Sequence, residues 1–325
     1  MTEKRIRCKL CPKECELGIN ERGNCRARVN LEGKLITLVY GKPCAIHVDP
    51  MEKKPMFHFL PGTPIFSIAT AGCNLHCKFC QNWEISQKNP EDTVNEDMPP
   101  RAVVERALRY GCKSIAYTYT EPITFYEYTR DTCILAHEAK LKNVLVTAGY
   151  INEAPLRELC KVADGANVDL KSFTDEYYRE ICDGDLATVL RTLEIMLEEG
   201  VFVEITTLIV PNLNDDMKSI AQMCKWIVSN LGDDIPHHFS RFTPRYLMSH
   251  LYPTPGETLI KARETALEAG MKYVYIGNVP GQFEDTICPT CKKVVIARFG
   301  FEVRSNVLVD GACPYCKTKI NGVWR

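Results

Sequence analysis

From residue 65 onward the chain repeats one unit, a short apolar run followed by an amphipathic stretch. The runs fall at 65–70, 114–119, 144–148, 166–170, 201–210, 238–242 and 273–276. Between them, residues 102–110, 125–141, 153–162, 175–181, 186–199, 217–231 and 259–269 place apolar side chains at i, i+3 and i+4. Three of these stretches end on Gly111, Gly200 and Gly270, a common helix stop. Strands alternating with helices argue for a parallel sheet with helices outside it, in which functional groups collect at the C-terminal strand ends. The expected fold is α/β, a partial (β/α)6 TIM-type barrel over residues 63–282. A Cys-rich segment (1–62) precedes it and a small knuckle domain (283–325) follows.

The loop after the first run carries Cys73, Cys77 and Cys80 in C-x3-C-x2-C spacing. Iron–sulfur cubanes are normally held by four thiolates, so a compact loop offering three leaves one iron for a ligand that is not protein. An incomplete zinc site is the competing reading of the three cysteines alone. Seventeen cysteines is high and odd, and eleven of them cluster in C-x2-C or C-x3-C groups, which suits metal ligation in a reducing compartment. Cys44, Cys112, Cys133, Cys160, Cys182 and Cys224 lie singly in mostly apolar contexts and read as small core hydrophobes.

Cys8, Cys11, Cys15 and Cys25 offer four soft ligands in eighteen residues, for zinc or for a second iron–sulfur cluster. Residues 35–40 read as a short strand, and the proline-rich stretch to residue 64 as a lead-in at the barrel mouth, where His47 or His58 would be near the loop. At the other end, Cys288, Cys291, Cys313 and Cys316 form two C-x2-C knuckles separated by strand-like sequence, the plan of a zinc ribbon, with rubredoxin-type iron as the alternative. A unit this small buries little core, so a metal would stabilise it directly.

A net charge of −1, from 40 basic and 41 acidic residues, provides no general field for nucleic acid or an anionic membrane. No run of about eighteen apolar residues or N-terminal leader pattern is present, and the cytoplasm is the expected compartment.

The loop resembles that of the radical S-adenosylmethionine (SAM) superfamily, C-x3-C-x-aromatic-C, with Phe79 as the aromatic. The resemblance implies a [4Fe-4S] cluster that binds SAM at its open iron. Thr118-Tyr119-Thr120-Glu121-Pro122 stands where the activating-enzyme branch has Gly-Gly-Glu-Pro; Glu121 and Pro122 are kept and both glycines are replaced. The likeness implies that Thr120 and Glu121 hold the SAM amino group, whereas a plain helix cap is the bland reading of Glu121. Asp169 and Lys171 share one face of a strand, as in that branch's D-x-K, and imply ribose and carboxylate contacts, against a simple ion pair. His238 is implied near the adenine, and Thr206 or Thr207 near the ribose.

With Cys80-Gln81-Asn82-Trp83-Glu84-Ile85, Ser240-Arg241-Phe242-Thr243-Pro244-Arg245-Tyr246 and Gly277-Asn278-Val279-Pro280-Gly281, the whole chain looks like the AmmeMemoRadiSam-system radical SAM family, related to pyruvate formate-lyase activating enzymes. That likeness implies Memo-like and AMMECR-like partners, a reduced electron donor, and hydrogen abstraction from a peptide or protein. Radical modification of a small molecule, or bond formation on a protein, keeps the same first step. An iron–sulfur carrier or scaffold is the reading from another class, and it has no use for Glu121, Asp169 and Lys171.

Overall fold

A computed structural model describes residues 5–281 and 283–325. The N-terminal segment folds as two small antiparallel pairs, β1 (Ile6–Arg7) with β2 (Glu16–Leu17) and β3 (Arg28–Leu31) with β4 (Lys34–Thr37). An eight-stranded sheet follows: β5 (Ala45–Pro50), β6 (Pro64–Ala69), β7 (Ser114–Tyr117), β8 (Lys142–Thr147), β9 (Gly165–Asp169), β10 (Phe202–Ile209), β11 (His237–Arg241) and β12 (Val274–Gly277), hydrogen-bonded in that order. All neighbouring pairs are parallel except β5 with β6. The helices are α1 (Trp83–Ser86), α2 (Pro100–Arg109), α3 (Tyr126–Glu138), α4 (Glu153–Cys160), α5 (Asp175–Tyr177), α6 (Leu186–Glu198), α7 (Met217–Asn230) and α8 (Gly256–Glu268). The chain is thus an α/β protein with a mostly parallel sheet, as a radical SAM core requires. No helix among the described residues is long and apolar enough to cross a membrane.

The helices bury one face on the sheet. In α2, Val103, Val104 and Ala107 are buried at the spacing that puts them on one stripe, and α7 does the same with Ile220, Met223, Cys224 and Ile227. Asp185 and Asp216 cap α6 and α7, accepting from the amides of Thr188 and Ser219.

Two readings of residues 41–64 need correction. The stretch contains β5, which the sequence hides because Ala45-Ile46-His47-Val48-Asp49-Pro50 has no clean alternation and ends in proline. An edge strand tolerates both, since only one of its sides needs ladder partners. The part after β5 also lies at the other end of the sheet from the expected mouth, whereas His47 stays near it, edge-on to the cavity-lining Tyr119 at 5.6 Å. Asn167 donates to the Pro55 carbonyl at 2.8 Å, and Phe59 packs on Phe202 and beside Gly165, at the starts of β10 and β9. Met51, Met56, Phe59 and Leu60 join Ile65, Ala116 and Val144 in one small core that plugs this end.

Strands β5 and β12 are the sheet's edges and do not pair with each other. Against β12 and the segment after β5 packs the three-stranded C-terminal sheet β13 (Thr286–Ile287), β14 (Val294–Phe299) and β15 (Glu302–Asn306), with Phe57, Tyr273, Tyr275 and Val295 in one core. Arg298 of β14 ties it down: its guanidinium donates to the Phe57 carbonyl at 2.6 Å and to Thr286 Oγ1 at 2.8 Å, and meets Glu52 at 3.4 Å.

Candidate active site

The first parallel strand delivers the thiols. After β6 the chain turns through Gly72, whose φ is +92° and where an added Cβ would lie 2.3 Å from the Cys25 carbonyl oxygen, so only glycine fits. Cys73, Cys77 and Cys80 follow and line an open cavity of about 520 Å³ at the C-terminal ends of the strands. The same cavity is lined by Phe79, Thr118, Tyr119, Thr120, Glu121, Thr147, Asp169, Lys171, Thr206 and His238. The ligand loop is laced to a π-helical turn at Tyr178–Cys182: the amide of His76 donates to the Cys182 carbonyl at 2.9 Å, and that of Lys78 to Ile181 at 3.0 Å. This brings Cys182, read from sequence as a core cysteine, against Cys77; hydrogen bonding from Cys182 holds the Cys77 thiol below the usual range.

Glu121 is 1% exposed. Thr147 Oγ1 donates to its Oε1 at 2.6 Å, and the amides of Ala148 and Ile123 donate at 2.7 and 3.3 Å. Burial pushes the carboxyl up to about 7, against these donors and the Lys171 charge, which favour the anion. The carboxylate therefore does more than cap a helix, because its firmest donors come from β8 and the turn beyond it. Thr120 Oγ1 donates to the Thr70 carbonyl at 2.9 Å.

Tyr119 has φ +63°, a backbone that L side chains rarely adopt and that glycine takes freely. The replaced glycine thus keeps its conformation here. Its side chain explains how: the hydroxyl donates to Asp49, and Lys54 Nζ stands 4.2 Å from the ring centroid. Lys54, 1% exposed, binds Asp49 at 2.7 Å, and burial lowers its amine to about 8. Lys53, Lys54 and Glu52 belong to the lining of the same cavity as the loop's thiols, as its polar floor.

Asp169 and Lys171 pair at 2.8 Å. Burial works to lower the Lys171 amine, but Asp169 and the thiols of Cys77 and Cys182 outweigh it and keep the cation. Of the two threonines, Thr206 lines the cavity with its hydroxyl buried and without a partner, while Thr207 donates to the Leu170 carbonyl at 2.7 Å and contacts His237, outside the cavity. His238 reaches the cavity but its Nε2 is 2.7 Å from Glu204, both side chains being buried. Glu204 also accepts from the His58 amide at 2.7 Å. Sequence reasoning passed over Glu204, although a carboxylate inside an apolar run is a signal.

His58 does not serve this site. Its ring nitrogens sit 2.6 Å from Tyr275 Oη and the Asn321 carbonyl, and burial lowers it to about 4. Arg241 donates to the Thr254 carbonyl at 3.0 Å, and Tyr246 stacks on Trp83 at 5.2 Å over the ligand loop.

The residues fit a cluster with SAM. Three thiols from one loop, a buried carboxylate, a cation and an unsatisfied hydroxyl face one space, a donor set with more kinds of partner than a metal ion alone uses. The model of the radical SAM superfamily matches residues 67–224. Residues 67–224 thus form a radical SAM domain. The chain is 43% identical over 324 residues to the uncharacterized protein MJ0808 of Methanocaldococcus jannaschii, covering 99% of itself and 96% of that protein. It is 23% identical over 190 residues to a probable GTP 3′,8-cyclase of Methanococcus vannielii, over 54% of this chain and 62% of the other. Among solved structures, SuiB of Streptococcus suis shares the fold at TM-score 0.51 and 14% identity, over 70% of this chain and 52% of that one. A domain of a pyruvate-formate lyase-activating enzyme from Bacteroides vulgatus aligns at TM-score 0.45 and 15% identity, over 51% and 99%. The radical SAM domain makes the chain an enzyme and implies a [4Fe-4S] cluster and SAM.

The four C-terminal thiols, Cys288, Cys291, Cys313 and Cys316, all lie within 4.8 Å of one another, with Cys288···Cys316 at 3.5 Å and Cys291···Cys313 at 3.6 Å. A tetrahedral ion with metal–sulfur bonds of about 2.3 Å sets its sulfurs about 3.8 Å apart, so this group fits one zinc or iron. Cys8, Cys11, Cys15 and Cys25 line a separate small cavity on the other side of Asn74.

Proposed function

We propose that this chain cleaves SAM reductively and abstracts hydrogen from a peptide or protein, as an AmmeMemoRadiSam-type relative of the activating enzymes. The observation that carries the reading is the convergence of Cys73, Cys77, Cys80, Glu121, Asp169, Lys171 and Thr206 on one cavity. Three thiols leave one cubane iron for the methionine end of SAM. Bound there, the pair supplies a 5′-deoxyadenosyl radical by one-electron cleavage of the sulfonium.

The chain's own residues hold and shelter it. Glu121 would accept a hydrogen bond from the SAM amino group, and Lys171 would meet the carboxylate. Asp169 keeps one oxygen beyond its Lys171 contact for ribose hydroxyls, and Thr206 gains the partner it lacks. Leu75, Phe79, Leu208 and Ile276 supply apolar wall that excludes water from the reacting end. The cavity runs on to the floor at Lys54 and to Gly300 and Phe301 at the turn between β14 and β15, which leaves room for a substrate segment beyond SAM. SuiB, of the same fold, is known with a precursor peptide bound. Memo-like and AMMECR-like proteins are the first partners to test, with a reduced low-potential protein as donor.

The test is anaerobic: reconstitute the cluster, reduce with dithionite, add SAM, and measure 5′-deoxyadenosine and methionine. Both form in wild type and disappear in Cys77→Ser and Lys171→Ala. Unchanged 5′-deoxyadenosine from Lys171→Ala would sink the assignment. Acceleration on adding a candidate protein identifies the substrate class; acceleration only by small molecules selects the small-molecule reading.

A further inference from the structure

We infer that Cys8, Cys11, Cys15 and Cys25 hold a second iron–sulfur cubane, seated directly behind the ligand loop of the first. All four cysteines line one cavity, yet among the described residues only the C-terminal group brings three or more ligand atoms within 4.8 Å of one another. A single tetrahedral ion needs sulfurs about 3.8 Å apart. In a cubane each thiolate caps a different iron, so the four stand farther apart around a larger body. As with Cys73, Cys77 and Cys80, no three of the N-terminal thiols come within 4.8 Å of one another, unlike those of the C-terminal knuckles.

Two further observations point to an anionic, sulfur-rich occupant. Arg28 lines the cavity at 5% exposure; its terminal nitrogens bind Glu127 at 2.9 and 2.5 Å, which leaves Nε buried with no partner. An N–H at the cavity wall is the donor that cluster sulfurs accept. The amide of Asn24 approaches Cys15 Sγ at 3.4 Å, as that of Leu75 approaches Cys73 Sγ at 3.4 Å in the first site. The two sites also share a wall. The Cys25 carbonyl packs on Gly72, one residue before Cys73, and Asn74 of the ligand loop lines the second cavity. Arg26 contacts His76 at 3.0 Å, and Lys13 binds Asp183 at 2.6 Å, so the N-terminal segment is fastened to the loop and to the turn that supports it.

The experiment counts metal in the full chain after anaerobic reconstitution. Wild type is expected to bind about eight iron and eight sulfide, and the triple variant Cys73→Ala/Cys77→Ala/Cys80→Ala about four of each, with cluster absorbance retained. Cys11→Ser/Cys15→Ser loses the complementary four while the C-terminal ion stays as an internal count of folded protein. Should that double variant fail to fold, the triple variant decides alone. A triple variant with no sulfide, whether it carries a second zinc or nothing at the N-terminal cysteines, overturns the inference.

Discussion

Thr147→Val isolates what holds Glu121 ready for the SAM amino group. The substitution keeps side-chain shape and deletes one hydroxyl, 2.6 Å from a carboxylate oxygen that is buried. A hydrogen bond to a charged group contributes about 1.5–3 kcal/mol, and one pKa unit corresponds to about 1.4 kcal/mol, so the ionised form loses about one to two units. The carboxyl already stands at about 7 because of burial, and Thr147 is the first of the groups that oppose that rise. The anion is the stronger acceptor for the N–H groups of the SAM amino group. Wild-type affinity for SAM, measured by calorimetry on the reconstituted protein, is therefore expected to rise about tenfold from pH 6 to pH 8. At pH 7.5 the variant binds about four- to fortyfold more weakly, and its pH midpoint moves up by the same one to two units. Thr147→Ser restores the bond and the affinity. Equal binding by Thr147→Val at every pH, with cluster absorbance intact, would refute the role given to Glu121.

Three other outcomes follow from the packing. Arg298→Met leaves Glu52 buried and uncompensated at the seam, a loss of about 3–5 kcal/mol in urea unfolding that Glu52→Gln on top of it partly restores. His58 is neutral when folded and lowered to about 4, so the unfolded chain binds the extra proton; the unfolding temperature is steady above about pH 6.5, falls toward pH 4, and falls less in His58→Gln. Cys291→Ser/Cys316→Ser releases one metal ion by mass spectrometry and loosens the β13–β15 sheet in hydrogen exchange, while the iron–sulfur absorbance persists.

What could be read in advance follows from the range over which each feature is specified. The parallel strands are local: β8 and β10 announce themselves as apolar runs, and the C-x3-C-x2-C loop carries its chemistry in its spacing. Thr206 and Thr207 were inseparable by residue type. Register separates them, since alternation turns one into the cavity and the other toward α7, where Thr207 meets Met223. Tyr119 looked like a loss of the glycine turn because the compensating groups, Asp49 and Lys54, lie some seventy residues earlier in an edge strand and the turn after it.

Distance in sequence also hides the contacts that fasten the C-terminal sheet. Glu52 and Arg298 are 246 residues apart, and His58 with Asn321 263 apart, yet these contacts fasten the C-terminal sheet to the segment after β5, at the end of the sheet opposite the thiols. The C-terminal thiols are thus coupled to the cavity through β14, which carries Arg298 and leads into Gly300 and Phe301 of the cavity lining. A metal that fixes the knuckles also fixes this turn of the cavity lining, beside the space proposed for substrate. Loss of that metal should therefore weaken substrate capture before it changes SAM cleavage without substrate, a separation that neither a passive tail nor a ligand of the radical-generating cluster would produce.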